Sequence, residues 1–378
     1  MEVKKRIKVL YTIPNFDTAG SGKALLNIAT RLNPELFEPI IACEREAGAF
    51  FQVVKQSGIP VHVFKLTTSM NNRLAGLKNI CRIARHFRKI KPDVVHSFHY
   101  SADYSEALAA RLAGCKWVYT KKNMNWGGSS KNGWRLRTWL ANGIVAQNTD
   151  MMQLFFRKSK KVSLIPRGVN VNVFGGQESD KNKIRVEFGI PASAKIILAV
   201  ANLVPVKGIE VLIKAFNEVH QRYSTIHLII VGDDTSDYAD SLKQLAALSD
   251  ARNQIHFTGK RADVQNFLTV ATVFVLPTLN QGRQEGSPVS LLEAMAAGKC
   301  VLVSDVAGSR DQLQNFKDHL FQPGAYEGLT KKLLQYLALD DAKITELGSA
   351  LKSNVIRNYT IEQEVARHEQ FYCTVKTK

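Results

Sequence analysis

Short apolar runs alternate along the whole chain with longer stretches in which apolar residues recur every three or four positions. The runs are strand-length, and the longer stretches carry a helical period. In the first half, strands are predicted at Ile7–Ile13, Pro39–Cys43, Val61–Phe64, Asp93–Ser97, Trp117–Thr120, Gly143–Ala146 and Val162–Ile165, with helices at Lys23–Leu32, Arg73–Ile90 and Ser101–Leu112. In the second half, strands at Ile196–Val200, His227–Val231, Ile255–Thr258, Val273–Pro277 and Val301–Ser304 alternate with helices at Ile209–His220, Asp237–Leu248, Val264–Val270 and Pro288–Ala297. Such alternation predicts parallel sheets with helices on both faces. A Gly-rich, polar stretch near 174–180 separates the two series. The expected fold is α/β, with two Rossmann-like parallel-sheet domains facing across a cleft, at 1–172 and 173–359. Ligands in such folds bind at the carboxyl ends of the strands.

A chain of 378 residues with 45% hydrophobic content is long enough for two cores. No apolar run has membrane-spanning length. The basic N-terminus runs into Ile7–Ile13 without a small-residue cleavage site, so it reads as a first strand and not a signal peptide. Five scattered cysteines without Cys-x-x-Cys argue against zinc and against a disulfide framework, and for a reducing cytoplasm.

Charge changes the picture more. The net +18 resides in the first half: residues 1–172 hold 28 Lys/Arg against 10 Asp/Glu, and the remainder hold 23 of each. Lys65–Lys91 has eight basic residues and no acid, and Lys116–Lys161 has ten with one acid, Asp150. Arg82, Arg85 and Lys89 share one side of their helix. The asymmetry points to an anionic partner: a membrane surface, a nucleic acid or an acidic substrate.

The most informative segment is 285–298. Glu285 and Glu293 flank a helix start at which Ser287 suits the N-cap, Pro288 the first helical position and Gly298 the C-terminal cap. The carboxylates lie roughly 8–12 Å apart by helical rise, too far to share a metal. The amides of Gly286 and Ser287 and the helix's positive end make an anion site between them. Carboxylate, anion site, carboxylate fits a sugar–diphosphate–ribose; the ordinary alternative is a capped helix with two surface glutamates.

Other residues group at predicted strand ends. Lys207, at the start of a helix, is poorly placed for helix stability unless a phosphate joins it. His96 and His99 follow one strand, and either could meet a sugar hydroxyl. Gly232, Asp233, Lys260 and Arg261 follow two others; Asp233 and Asp234 read as strand-end residues and not as metal ligands. Gly20-Ser21-Gly22-Lys23 fails the P-loop pattern, with Asp17 and Ala24 at key positions, and leaves a Gly-rich turn opening a helix. Gly-x-Ser-x-Gly and His-Glu-x-x-His are both absent.

The run Glu285-Gly-Ser-Pro-Val-Ser-Leu-Leu-Glu293-Ala-Met-Ala-Ala-Gly298 resembles the signature of family 4 retaining glycosyltransferases, and Asn202-Leu-Val-Pro-Val-Lys207-Gly208 resembles their phosphate loop. The likeness extends over nearly the whole chain. It implies the two-domain glycosyltransferase B architecture, with the last helix, within 360–378, packing back on the first domain. It implies that Glu285 meets donor-sugar hydroxyls, Glu293 the ribose, Lys207 the diphosphate, and that Gly20 and His99 approach the donor. Asn202, Gly232, Lys260, Arg261, Gly286 and Ser287 complete the implied donor set, and no metal is required. Asn202 stands where the family often has arginine, and Arg167 or Arg283 is a candidate replacement; Gly22 stands where an acid is common.

The resulting expectation is a cytoplasmic, retaining hexosyltransferase without cofactor or metal, peripheral on the inner face of the membrane. It would move a sugar from a UDP- or GDP-linked donor to a lipid-linked or anionic glycan acceptor of polysaccharide or lipopolysaccharide synthesis. A soluble small acceptor, a basic nucleic-acid-binding protein and an inactive donor-binding protein are the rivals. No nucleic-acid motif supports the second, and intact Glu285, Glu293 and Lys207 disfavour the third.

Overall fold

The computed structural model describes residues 5–17, 19–48, 50–126, 130–175, 181–282 and 284–377. The chain forms two compact units, 1–166 with 361–378, and 167–360.

Unit 1 runs β1 (Ile7–Ile13), α1 (Ala19–Ala29), β2 (Phe37–Cys43), α2 (Phe51–Gln56), β3 (Val61–Val63), α3 (Arg73–Ile90), β4 (Val94–Ser97), α4 (Ser105–Leu112), β5 (Lys116–Lys121), α5 (Lys131–Leu140), β6 (Gly143–Ala146), α6 (Thr149–Phe156) and β7 (Val162–Leu164). Unit 2 runs α7 (Val171–Gly175), α8 (Lys181–Glu187), β8 (Ile196–Val200), α9 (Ile209–His220), β9 (His227–Val231), α10 (Asp237–Ala247), β10 (Ile255–Phe257), α11 (Val264–Val270), β11 (Val273–Leu276), α12 (Val289–Ala296), β12 (Cys300–Ser304), α13 (Ser309–Gln312), β13 (Leu320–Phe321), α14 (Tyr326–Leu337) and α15 (Asp341–Asn358). Helix α16 (Ile361–Thr377) then packs on unit 1.

Both sheets are parallel, in the orders β3-β2-β1-β4-β5-β6-β7 and β10-β9-β8-β11-β12-β13. Their central strands are buried on both faces, which is why they read as unbroken apolar runs. In unit 1, the core on one face joins β1 to α1 and α16, and the core on the other joins it to α3, α4 and α5. Unit 2 has two matching cores.

Helix α1 starts four residues before its predicted first residue. Gly20-Ser21-Gly22-Lys23 is thus the first helical turn and not a loop before it. Its two glycines differ. A Cβ on Gly22 would stand 2.8 Å from the Phe16 ring, so packing demands glycine; a Cβ on Gly20 would meet nothing within 4 Å.

Candidate active site

Unit 2 gathers its candidates at the carboxyl ends of the paired strands β8 and β11. After β8 the chain passes the exposed Asn202 and makes one 3₁₀ turn, Pro205–Lys207. Gly208 follows at φ +62°, where a Cβ would stand 2.2 Å from the Pro277 carbonyl oxygen. Glycine therefore lets this loop lie against the end of β11, and the Leu279 N–H donates to the Val206 carbonyl at 2.8 Å. Lys207, expected at the start of a helix, closes the turn just before α9. Its side chain is only 7% exposed, and its ammonium lies 2.9 Å from the Glu285 carboxylate, which is 48% exposed. A buried ammonium needs such a partner, and the open side of the pair faces water. Gln284, buried beside it, ties the loop down by donating to the Leu279 carbonyl and to Asn280 Oδ1.

Helix α12 begins one residue later than its sequence implies. Pro288, at ψ 114°, occupies the N-cap, and Val289 opens the helix. The Ser287 hydroxyl is occupied elsewhere, accepting from the Arg167 N–H at 3.2 Å and from Gln312 Nε2 at 3.0 Å. The N-cap residue Pro288 makes no side-chain cap bond, and no acid lies in the first turn. Leu291, Leu292, Met295 and Ala296 are buried, which turns the half-buried Glu293 away from the core. At the far end Gly298, at φ +69°, completes a Schellman cap: Lys299 N–H donates to Ala294 O at 3.0 Å and Gly298 N–H to Met295 O at 2.9 Å. Helix α15 presses on this cap through Gly348, where a Cβ would stand 1.9 Å from the Gly298 carbonyl. Gly286 is buried against Gly308, whose Cβ would stand 2.6 Å from the Gly286 oxygen.

Three expected donor ligands stand differently. Arg261 lies over the Phe267 ring and is committed to ion pairs with Glu187 and Asp263, and its hydrogen bonds hold the Asp263 carboxyl down to about 2. Its guanidinium is a structural clamp. Gly232 has a packing reason: its Cβ would stand 1.9 Å from the Ala201 carbonyl. Lys260 is exposed, with its charge acting on Asp233. Asp233 accepts from the Thr235 N–H and hydroxyl, and Asp234 pairs with Lys243 at 2.8 Å. Arg283 lies outside the described residues.

In unit 1 the two histidines separate clearly. His96 is buried, with Nδ1 2.7 Å from the Tyr372 hydroxyl on α16 and Nε2 2.8 Å from Thr120 Oγ1 on β5, so both ring nitrogens are engaged in packing. His99 lies beyond the end of β4 and is half-buried, with Nδ1 3.3 Å from Ser101 Oγ. Burial, then the charges of Arg137 and Lys122, push His99 down to about 4, so it is neutral near pH 7.

Sequence reasoning passed over the groups that hold this loop. Arg137 is fully buried and donates to the carbonyls of Asp103 at 2.8 Å and His99 at 2.9 Å. It also donates to Ser97 Oγ at 3.2 Å, and that hydroxyl donates to buried Glu106 at 2.5 Å. Lys121, also buried, sits among the rings of Tyr100, Trp126, Trp134 and Phe155 and donates to the carbonyls of Asn123 and Asn125. Lys122 donates to the Phe98 carbonyl at 2.6 Å and to Ser21 Oγ at 3.1 Å, which joins α1 to the end of β4. Phase was the available signal: Arg137 keeps the three-residue spacing of Trp134 and Leu140, and Lys121 the two-residue spacing of Trp117 and Tyr119.

Residues 18–173 match Glycosyltransferase Family 4, and residues 180–354 match Glycosyl transferases group 1. The chain belongs to the family 4 glycosyltransferases. It is 23% identical over 315 residues to the N,N'-diacetylbacillosaminyl-diphospho-undecaprenol alpha-1,3-N-acetylgalactosaminyltransferase of Campylobacter jejuni, covering 78% of this chain and 80% of that protein. It is 22% identical over 357 residues to the UDP-Gal:alpha-D-GlcNAc-diphosphoundecaprenol alpha-1,3-galactosyltransferase of Escherichia coli, covering 89% of each. Several other curated relatives are matched over about half their length. The fold is that of HepE from Anabaena, solved in complex with UDP and glucose, at TM-score 0.82 and 20% identity over 97% of this chain and 99% of that one. This glycosyltransferase therefore has the two-domain glycosyltransferase B architecture.

Proposed function

We propose that this glycosyltransferase is retaining and metal-independent. In this reading it moves a hexose-type sugar from a UDP- or GDP-linked donor to a lipid-linked or anionic glycan acceptor of polysaccharide or lipopolysaccharide synthesis. The observation that carries the proposal is the buried Lys207, paired with a half-exposed Glu285 in the loop that leads to α12, whose N-cap residue is Pro288.

The donor diphosphate takes Lys207 and the first amides of α12. Negative charge grows on the diphosphate as its bond to the anomeric carbon breaks, so a fixed ammonium and helix dipole favour that transition state more than the ground state. Glu285 then accepts from sugar hydroxyls and Glu293 from the ribose. On unit 1, Gly20, where no neighbour fills the space of a side chain, and the neutral His99 are the residues that the family resemblance assigns to the donor sugar. The acceptor proton passes to the leaving phosphate. Arg167, whose N–H is bonded to Ser287, supplies the cation that Asn202 lacks. The diphospho-undecaprenol acceptors named for two relatives support a lipid-linked acceptor, and the UDP and glucose bound to HepE support the donor class.

The test is to incubate the protein with UDP- and GDP-hexoses and a prenyl-diphosphate-linked sugar in the presence of chelator, and to read the new anomeric centre by NMR. An α-linked product from an α-linked donor, formed at an undiminished rate, is expected. Inversion, or activity restored only by Mn²⁺, contradicts the mechanism.

A further inference from the structure

Helices α3, α4 and α5 cover one face of the unit 1 sheet. They carry nine exposed lysines and arginines, six on α3, one on α4 and two on α5. Their one carboxylate, Glu106, is buried. The face also leaves large apolar side chains in water: Leu74 at 82%, Leu77 at 52%, Leu112 at 52% and Trp139 at 65% exposed. Contacts link these residues into one surface. Arg88 on α3 donates to the Leu112 carbonyl at 2.7 Å, Arg111 lies 5.4 Å from the centre of the Trp139 ring, and Lys161 donates to the Trp139 carbonyl at 3.1 Å.

From this surface we infer that the outer face of α3–α5 docks on an anionic lipid bilayer, with the cations against the headgroups and Trp139 and the leucines at the interface. The inference goes beyond the transferase reading and does not require it. Charge complementarity selects an anionic partner, and the exposed apolar residues select lipid over nucleic acid. A phosphate backbone gains nothing from Leu74 or Leu112, whereas an interface takes up Trp, Leu and the stems of Arg and Lys together. The unit 1 face carrying α1 and α16 has acids at Glu362 and Glu369, and residues 173–378 are neutral overall, so the excess charge is not general to the protein.

The full chain is tested by sedimentation with phosphatidylcholine vesicles and with the same vesicles containing phosphatidylglycerol. Binding to the anionic vesicles alone, weakening with salt, is expected. Replacing Arg82, Arg85 and Lys89 by Gln is expected to lower that affinity roughly 100-fold, at about 1 kcal/mol for each cation. Of the four tryptophans, Trp117 and Trp134 are buried and Trp126 is half-buried, so acrylamide quenching reports mainly on Trp139. Anionic vesicles are expected to suppress that quenching in the native protein and to change nothing in Trp139→Ala. Equal binding to both vesicle types, full binding by the triple variant, or binding to duplex DNA without binding to vesicles would overturn the inference. Donor turnover in vesicle-free solution reports on the transferase reading separately, and none of these substitutions touches the residues assigned to it.

Discussion

Buried charges decide stability at single positions: Arg137 and Lys121 lie in the core, each held by backbone carbonyls. Glu285, Glu293 and Lys207 stood out as charged residues at strand ends and helix starts, and the Lys207–Glu285 pair joins two of them. Arg137, Lys121 and Lys122 were hidden inside a run of ten basic residues that reads as a solvated surface. Composition weighs a charge equally in water or in a core, and only phase with neighbouring apolar residues separates the two. Arg137→Met should cost about 3–5 kcal/mol, because it strands Glu106 in the core, and chemical denaturation would measure it. Surface replacements such as Arg135→Met should leave stability within about 0.5 kcal/mol.

The histidines give a prediction with a definite sign. Burial first, then neighbouring positive charge, pushes His99 and His227 down to about 4, against about 6.5 when unfolded. Between those values the unfolded chain binds more protons, so stability should be full above about pH 6.5, fall as pH drops to about 4, and level off below. Each histidine contributes up to about 1.4 kcal/mol per pH unit in that window. Urea midpoints across it should flatten in His227→Gln; an unchanged slope would remove His227 from the account.

At the scale of elements, apolar periodicity located nearly every strand, and α3 and α9 end to end. The starts of α1, α4 and α12 lie elsewhere than expected, α4 opening at Ser105 and not at Ser101, and at α12 the favoured cap is overruled by contacts distant in sequence. Ser287 is drawn away from capping by Arg167 and Gln312, which no local rule anticipates. The two glycines of α1 offer an internal control. Gly22→Ala should destabilise through its 2.8 Å contact with Phe16. Gly20→Ala should leave stability equal or raised by about 0.5–1 kcal/mol, as alanine replaces glycine in a helix, yet impair turnover because the new methyl occupies ligand space. Thermal melts and steady-state kinetics on the pair separate folding from function; equal loss of stability in both would contradict the assignment of Gly20.

Across the whole molecule, two parallel sheets follow from the alternation of elements, but the short β13 and the helices after it left weaker signals. Among the described residues no helix is long and apolar enough to cross a membrane. The basic face and the candidate donor residues fall on different units: unit 1 holds the former, and unit 2 holds Lys207, Glu285 and Glu293.

If Lys207, Glu285 and Glu293 grip a nucleoside diphosphate, calorimetric titration with UDP and GDP reads that grip without the complication of turnover. The native protein should bind one of them in chelator-treated buffer. Glu293→Ala should weaken that binding roughly 10- to 150-fold through loss of charge-assisted hydrogen bonds worth about 1.5–3 kcal/mol, and Lys207→Met should weaken it comparably. Unchanged affinity in folded Glu293→Ala and Lys207→Met proteins, or no binding of either nucleotide to the native chain, would contradict the account.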